Sequence, residues 1–172
     1  DFEMFFSNIA VMPFLSLYFS ILKEKFKWYI RFLIIFISKM KIKELQSILE
    51  KKKCGFALFY NTNSSCYNPN LFYFSGYSGL GSLIIPKKSE PFLIVPEMEF
   101  EKAKNSGIGK VYSMDKKKFF ESIHNVIKSK KIKQGKIAID NTNFNINSYK
   151  HLRRQFKRAK TKDIALDCLR LR

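Results

Sequence analysis

Residues 68–79 read Asn-Pro-Asn-Leu-Phe-Tyr-Phe-Ser-Gly-Tyr-Ser-Gly, and the reading of this stretch decides the fold. It closes a loop rich in Asn and Ser, Asn61–Asn70, which ends at Pro69. Leu71–Phe74 is short and aromatic, and Tyr73 and Phe74 would take alternate faces of a short strand. The glycines of Gly76-Tyr77-Ser78-Gly79-Leu80-Gly81 are spaced GxxGxG. A dinucleotide loop needs GxGxxG, and a phosphate loop needs a GK[ST] ending. A strand is expected after these glycines, so no helix N-terminus aligns amides on a phosphate. They read as turns that let the chain double back. No GxSxG elbow is present, which removes Ser75 and Ser78 as nucleophiles.

Outward from that stretch the pattern is regular. Leu83–Ile85 and Phe92–Val95 read as two strands joined through Pro86–Pro91 in a hairpin-like pair. Glu97–Asn105 reads as one helix with acids in its first turn, where the dipole favours them. Lys110–Tyr112 is a short strand. Lys116–Lys130 is a helix burying Phe119, Phe120, Ile123, Val126 and Ile127. Lys136–Asp140 is a strand. Asn147–Lys157 is a helix with Tyr149, Leu152 and Phe156 inward, Ala159–Ile164 a last strand, and Leu166–Arg172 the start of a helix. Upstream, Ile42, Leu45, Ile48 and Leu49 recur at helical spacing, Gly55 stops that helix, and Gly55–Tyr60 is an apolar strand. Strands alternating with helices predict an α/β domain with a mixed or parallel sheet and helices on its faces.

The formal charge of +18 raises nucleic acid or an anionic membrane as a partner. Of the 32 basic residues 26 are Lys and six are Arg, and Arg is the residue that reads phosphate and guanine bidentately. With Phe, Ile, Asn and Tyr also plentiful, the mixture resembles compositional drift, and the lysines read as solvated surface. Nucleic acid is not the expected partner. Cys54, Cys66 and Cys168 form no CxxC, which suggests reduced thiols and a cytoplasmic setting. His124 and His151 lie in neither HxxxH nor HExxH, so they read as ordinary histidines and no metal site is expected from them.

Residues 1–39 stand apart. Residues 4–22 carry no charge and are long enough to span a bilayer, with Lys23, Lys25 and Lys27 following. Pro13, Asn8 and serines dilute the stretch, and the next apolar run is interrupted by Arg31. Two readings stand: an extension ahead of a native start at Met40, or a membrane anchor through residues 4–22.

The acids do not make a catalytic pair. Glu97, Glu99 and Glu101 gather at a helix start, where capping and solvation explain them. Asp140 ends an apolar strand, and the Asn-Thr-Asn after it favours a turn acid. No catalytic residue is expected in this chain.

A resemblance joins these pieces. Asn70, Tyr73, Gly76 and Tyr77, with Phe74 and Ser75 between, resemble the N-x-x-Y-L-T-G-F signature in the N-terminal domain of creatinase/prolidase-type proteins, the Xaa-Pro aminopeptidases and dipeptidases. Around it, in the family's order, stand Gly55-Phe-Ala-Leu-Phe-Tyr, Leu93-Ile-Val-Pro-Glu, Glu101-Lys-Ala, Lys136-Ile-Ala-Ile-Asp and Asp167-Cys-Leu-Arg-Leu-Arg. The first strand departs from the family in lacking its usual Asp, with Cys54 and Gly55 there instead. The likeness covers roughly residues 40–172.

The resemblance implies a ribonuclease-H-like α/β layer: a mixed sheet of about six strands flanked by helices. It implies three parts: a hydrophobic extension over 1–39, the N-terminal domain over 40–165, and over 166–172 the start of a linker helix to a catalytic domain beyond Arg172. In the family that later domain binds two divalent metal ions and activates a bridging water; none of its ligands is in this chain. The N-terminal domain is then expected to support a homodimer and to shape the mouth for a proline-containing peptide. The substrate-mouth candidates are Tyr73, Phe74, Gly76 and Tyr77. The alternative for this domain is a binding module for a protein or polyanionic partner, as in catalytically silent relatives such as the large subunit of a histone chaperone.

Overall fold

The computed structural model describes residues 38–62, 67–114 and 118–172, with residues 25, 29 and 36. The chain divides into two compact units, Asp1–Phe36 and Ile37–Arg172. In the first, residues 25, 29 and 36 are helical. The candidate span over residues 4–22, Cys66, and the first two residues of the helix expected over Lys116–Lys130 lie outside the described residues. Among the described residues no helix is long and apolar enough to cross a membrane.

The second unit is built on a six-stranded mixed sheet: β1 (Phe56–Asn61), β2 (Gly81–Pro86), β3 (Phe92–Pro96), β4 (Val111–Met114), β5 (Lys136–Ile139) and β6 (Lys160–Asp163), in the order β4-β3-β2-β1-β5-β6. β1–β2 and β2–β3 pair antiparallel, while β3–β4, β1–β5 and β5–β6 pair parallel. β1 is central, and all six of its residues are buried. A strand covered on both faces needs an unbroken apolar run, and Phe-Ala-Leu-Phe-Tyr supplies it.

Alternation along β1 divides the core in two. Ala57 and Phe59 face a layer containing Leu45, Leu49, Leu71, Phe74, Ala103, Cys168 and Leu171. These belong to α1 (residues 38–51), α2 (Pro69–Ser75), α3 (Phe100–Lys104) and α6 (Ala165–Leu171). Phe56, Leu58 and Tyr60 face Phe120, Ile123 and Ile127 of α4 (Phe119–Ser129), Leu152 of α5 (Ile146–Gln155), and Phe156, which caps α5. Full burial of a side chain such as Leu45 or Leu49 stabilises the fold by roughly 1.5–3 kcal/mol. The β3-α3-β4 crossover moves outward over one face, and β5-α5-β6 moves the opposite way over the other. The two crossovers therefore share one hand, as twisted strands require.

The β2–β3 hairpin, the strand positions and the helix at 146–155 agree with the sequence reading. Three expectations are corrected. Leu71–Phe74 is helical, not a strand with alternating faces. Tyr149 is 38% exposed rather than inward, because the helix stripe is satisfied by Leu152 and Phe156 and the Tyr149 hydroxyl lies 3.3 Å from Thr161 Oγ1. Glu97–Asn105 is not one helix: a 3-10 turn at Glu97–Glu99 precedes α3. Pro96 at that boundary fixes its own backbone and gives the turn no side-chain cap.

Gly55 shows how tightly the ends of β1 and β5 approach. Its N–H donates to Lys136 O at 2.7 Å and its carbonyl accepts from Lys87 N at 3.0 Å. A Cβ there would stand 1.8 Å from Lys133 O.

Candidate functional site

The signature segment is a capped helix, and each of its odd residues has a place in it. Asn68 is the N-cap of α2: its side-chain oxygen accepts from Asn70 N at 3.0 Å and Leu71 N at 3.3 Å. Pro69 follows at the first helical position, where its missing N–H costs nothing. Gly76 ends the helix in the left-handed region at φ 68°, with its N–H on Phe72 O at 2.6 Å. The pair Asn-Pro was the available signal for this helix start. The Asn-rich approach and the β-favouring aromatics of Leu71–Phe74 obscured it.

The helix is tied to its surroundings at both ends. Asn61, closing β1, accepts from Asn68 N at 2.8 Å and donates to Gly79 O at 3.1 Å. Asn70, fully buried, donates to Asp140 Oδ2. Asp140 ends β5 and is 3% exposed. It also accepts from Asn143 Nδ2 at 2.7 Å, Thr142 N at 3.0 Å and Thr142 Oγ1 at 2.6 Å. Asp140 is thus the turn acid that its Asn-Thr-Asn suggested, and additionally the anchor of α2. Asn70 Oδ1 has no hydrogen-bond partner.

The mouth candidates fall as follows. Phe74 is fully buried and stacks on Phe59 with ring centroids 5.4 Å apart. Tyr73 is half-buried, and its hydroxyl donates to Leu171 O at the end of α6. Tyr77 is 2% exposed; its hydroxyl lies 2.8 Å from Leu80 O and 3.1 Å from Glu99 Oε2. Burial, with the Glu99 carboxylate beside it, pushes the Tyr77 phenol well above its ordinary ionisation range. Glu99, read from the sequence as a capping or solvated acid, is partly buried and shared between the Tyr77 hydroxyl and Lys102 Nζ at 3.7 Å. Gly79 is required beside this pair, since a Cβ would come within 2.3 Å of both the Tyr77 hydroxyl and Glu99 Oε2.

The rings that do reach the surface here are Tyr67, 52% exposed, and Phe72, 46% exposed, with centroids 6.2 Å apart. Tyr67 lines a cleft of about 340 Å³ with Tyr60, Asn68, Asn143 and Phe144. The cleft lies outside the carboxyl ends of the parallel pair β1 and β5, the place where open α/β sheets present ligand sites. Periodicity missed both rings because neither belongs to an apolar stripe.

The donor set does not fit a divalent metal. Both Asp140 oxygens are occupied by neutral donors, and among the described residues no three His, Cys, Asp or Glu side chains gather to hold an ion. His124 packs edge-on against Phe156, and His151 stacks parallel to Phe120.

A six-stranded mixed sheet in this order, flanked by helices, makes the unit Ile37–Arg172 a ribonuclease-H-like α/β domain. The chain belongs to the Creatinase/Prolidase N-terminal domain family, which it matches over residues 41–172. It is similar to the solved N-terminal domain of an X-Pro dipeptidase from Streptococcus pyogenes, at 18% identity and a TM-score of 0.62, covering 76% of this chain and 97% of that one. An X-Pro aminopeptidase from Thermotoga maritima is similar at 21% identity and a TM-score of 0.59, covering 68% of this chain and 32% of that one. A Xaa-Pro dipeptidase from Bacillus anthracis is similar at 17% identity and a TM-score of 0.62, covering 74% and 34%. The chain thus spans about a third of the last two proteins. A comparison with curated proteins found no match.

Proposed function

We propose that this chain is the non-catalytic N-terminal domain of a metal-dependent Xaa-Pro peptidase that acts in the cytoplasm. The observation that carries the reading is the family match over residues 41–172, with the signature folded as one capped and anchored helix. Hydrolysis, and the two divalent metal ions that would activate water, belong in this reading to a catalytic domain outside the chain. The domain's own work is to support a homodimer and to shape the mouth for a proline-containing peptide. Gly76 and the side chains of Tyr73, Phe74 and Tyr77 shape that mouth by fixing α2, and Tyr67 and Phe72 offer it the exposed rings. The described cysteines, Cys54 and Cys168, are free thiols, in keeping with a reducing compartment.

The test is Xaa-Pro dipeptide hydrolysis by the full-length gene product supplied with manganese or cobalt. Phe72→Ala should raise KM and leave kcat nearly unchanged, since the ring touches no reacting atom. A full-length product that loads metal yet cleaves no proline dipeptide would instead favour the binding-module reading. Light scattering on the full-length product tests the homodimer.

A further inference from the structure

A second cleft, of about 900 Å³, lies at the opposite end of the sheet, where β1 and β5 begin and β2 ends. Its lining contains seven lysines, no arginine and no aromatic ring. They come from three separate stretches. Lys53 follows α1, and Lys87 and Lys88 sit in the β2–β3 turn. Lys130, Lys131, Lys133 and Lys136 lie on the one stretch that runs from the end of α4 to the first residue of β5. Helix dipoles account for cations at the ends of α1 and α4; they do not account for the other four.

Two further facts set this cluster apart from a solvated face. Lys53 and Lys131, with φ of 56° and 53°, are the non-glycine residues in the left-handed region among the described residues. Each closes its helix in a Schellman motif, Lys53 N to Glu50 O at 3.0 Å with Cys54 N to Leu49 O at 2.9 Å, and Lys131 N to Lys128 O at 3.0 Å with Ile132 N to Ile127 O at 3.1 Å. Glycine is the ordinary residue there, so both helices place a lysine on the cleft at a backbone cost. Neutralisation is also slight. Among the described residues the carboxylate within salt-bridge reach of these lysines is Glu50, 3.9 Å from Lys87 and 3.8 Å from Lys88. The Gly55 contacts hold the floor rigid, locking residues 87 and 136 to the same backbone unit.

We propose that this cleft binds a small oligophosphate anion. The volume lies in the range of small-molecule sites, and ammonium groups from several segments suit phosphate as point charges. The lining offers a nucleic acid strand no ring on which to stack a base, the neighbouring Tyr112 ring being faced by Lys130 Nζ at 4.8 Å, and it offers a membrane no exposed large apolar anchor.

The probe is inorganic tripolyphosphate, titrated calorimetrically into the 172-residue chain at physiological ionic strength. Saturable binding at one site is expected. Lys88→Gln with Lys133→Gln, both exposed positions, should weaken it on the order of tenfold or more, given what hydrogen bonds to charged groups contribute. Lys150→Gln with Lys157→Gln removes the same charge from α5 and the residues after it, and should change affinity less than about twofold. Circular dichroism verifies that both variants fold. Absent saturable binding, or equal weakening by the two pairs, overturns the proposal. So does tighter binding of a single-stranded RNA of equal phosphate count that survives the cleft substitutions.

Discussion

Removing the Asp140 carboxylate tests the anchoring of α2 directly. In Asp140→Ala, Asn70 Nδ2, Thr142 N and Thr142 Oγ1 lose their acceptor, and Asn143 Nδ2 keeps only Thr142 Oγ1. Thr142 is exposed and Asn143 partly so; water replaces the carboxylate there at little cost. Asn70 is fully buried, and its other amide atom already lacks a partner. The variant therefore loses one buried hydrogen bond to a charged group and strands a buried donor. Together these cost about 3 kcal/mol. Asp140→Asn behaves differently, because Asn70 can turn its amide over and bring the unpartnered Oδ1 to the new NH2 group. That substitution should cost about 1 kcal/mol. Urea unfolding followed by circular dichroism measures both, and Tm should fall by roughly 6–12 °C for Asp140→Ala. A loss below about 1 kcal/mol in Asp140→Ala would refute the anchor, and equal losses in the two variants would refute the role given to Asn70.

Two glycine substitutions should rank in a definite order. Gly76→Ala meets open space, its nearest atom being Gly107 N at 4.0 Å, so only the left-handed backbone is strained, at about 1 kcal/mol. Gly55→Ala drives a Cβ into the Lys133 carbonyl and should cost about 3 kcal/mol or more; equal denaturation midpoints would contradict this. Burial, with the charges of Asp140 and Asp167 nearby, pushes the Cys168 thiol from 9.0 up to about 12. Iodoacetamide at pH 8 should therefore spare Cys168 in the folded chain and modify it in urea, as read by mass spectrometry. The same raised value means that the Cys168 contribution to stability is intact below about pH 9 and is lost as pH climbs through about 12. Tyr73→Phe removes the hydroxyl that donates to Leu171 O and should lower stability by about 1 kcal/mol. Amide exchange in α6 should rise with it; unchanged exchange would mean that Tyr73 does not hold that helix.

Residues whose environment is set by their neighbours in sequence were legible. Ile42, Leu45 and Leu49 share a face at any position in space because helical period alone puts them there, and they are buried. The run from Phe56 to Tyr60 is apolar on both sides, so it could only be a strand covered twice, and it is the central one. The order of six short motifs carries the resemblance to the family without any strand pairing. α2 was not legible in the same way. Its aromatic residues prefer strands, and seven residues carry too little periodicity to outweigh that. What makes it a helix is a cap at each end, and what holds it is Asp140, 70 positions further on.

The candidate sites divide along the same line. The sequence by itself determined the fold class, for which local propensity and spacing are enough. It singled out the segment from Asn68 to Gly79 only through a resemblance to a family signature. Only the tertiary structure decided that Phe74 and Tyr77 are spent in the core while Tyr67 and Phe72 reach the surface, because facing depends on how a short helix is docked. It also decided that lysines from three stretches of the chain surround one cleft. Along the chain they look like even drift, and charge adds up in space rather than in sequence.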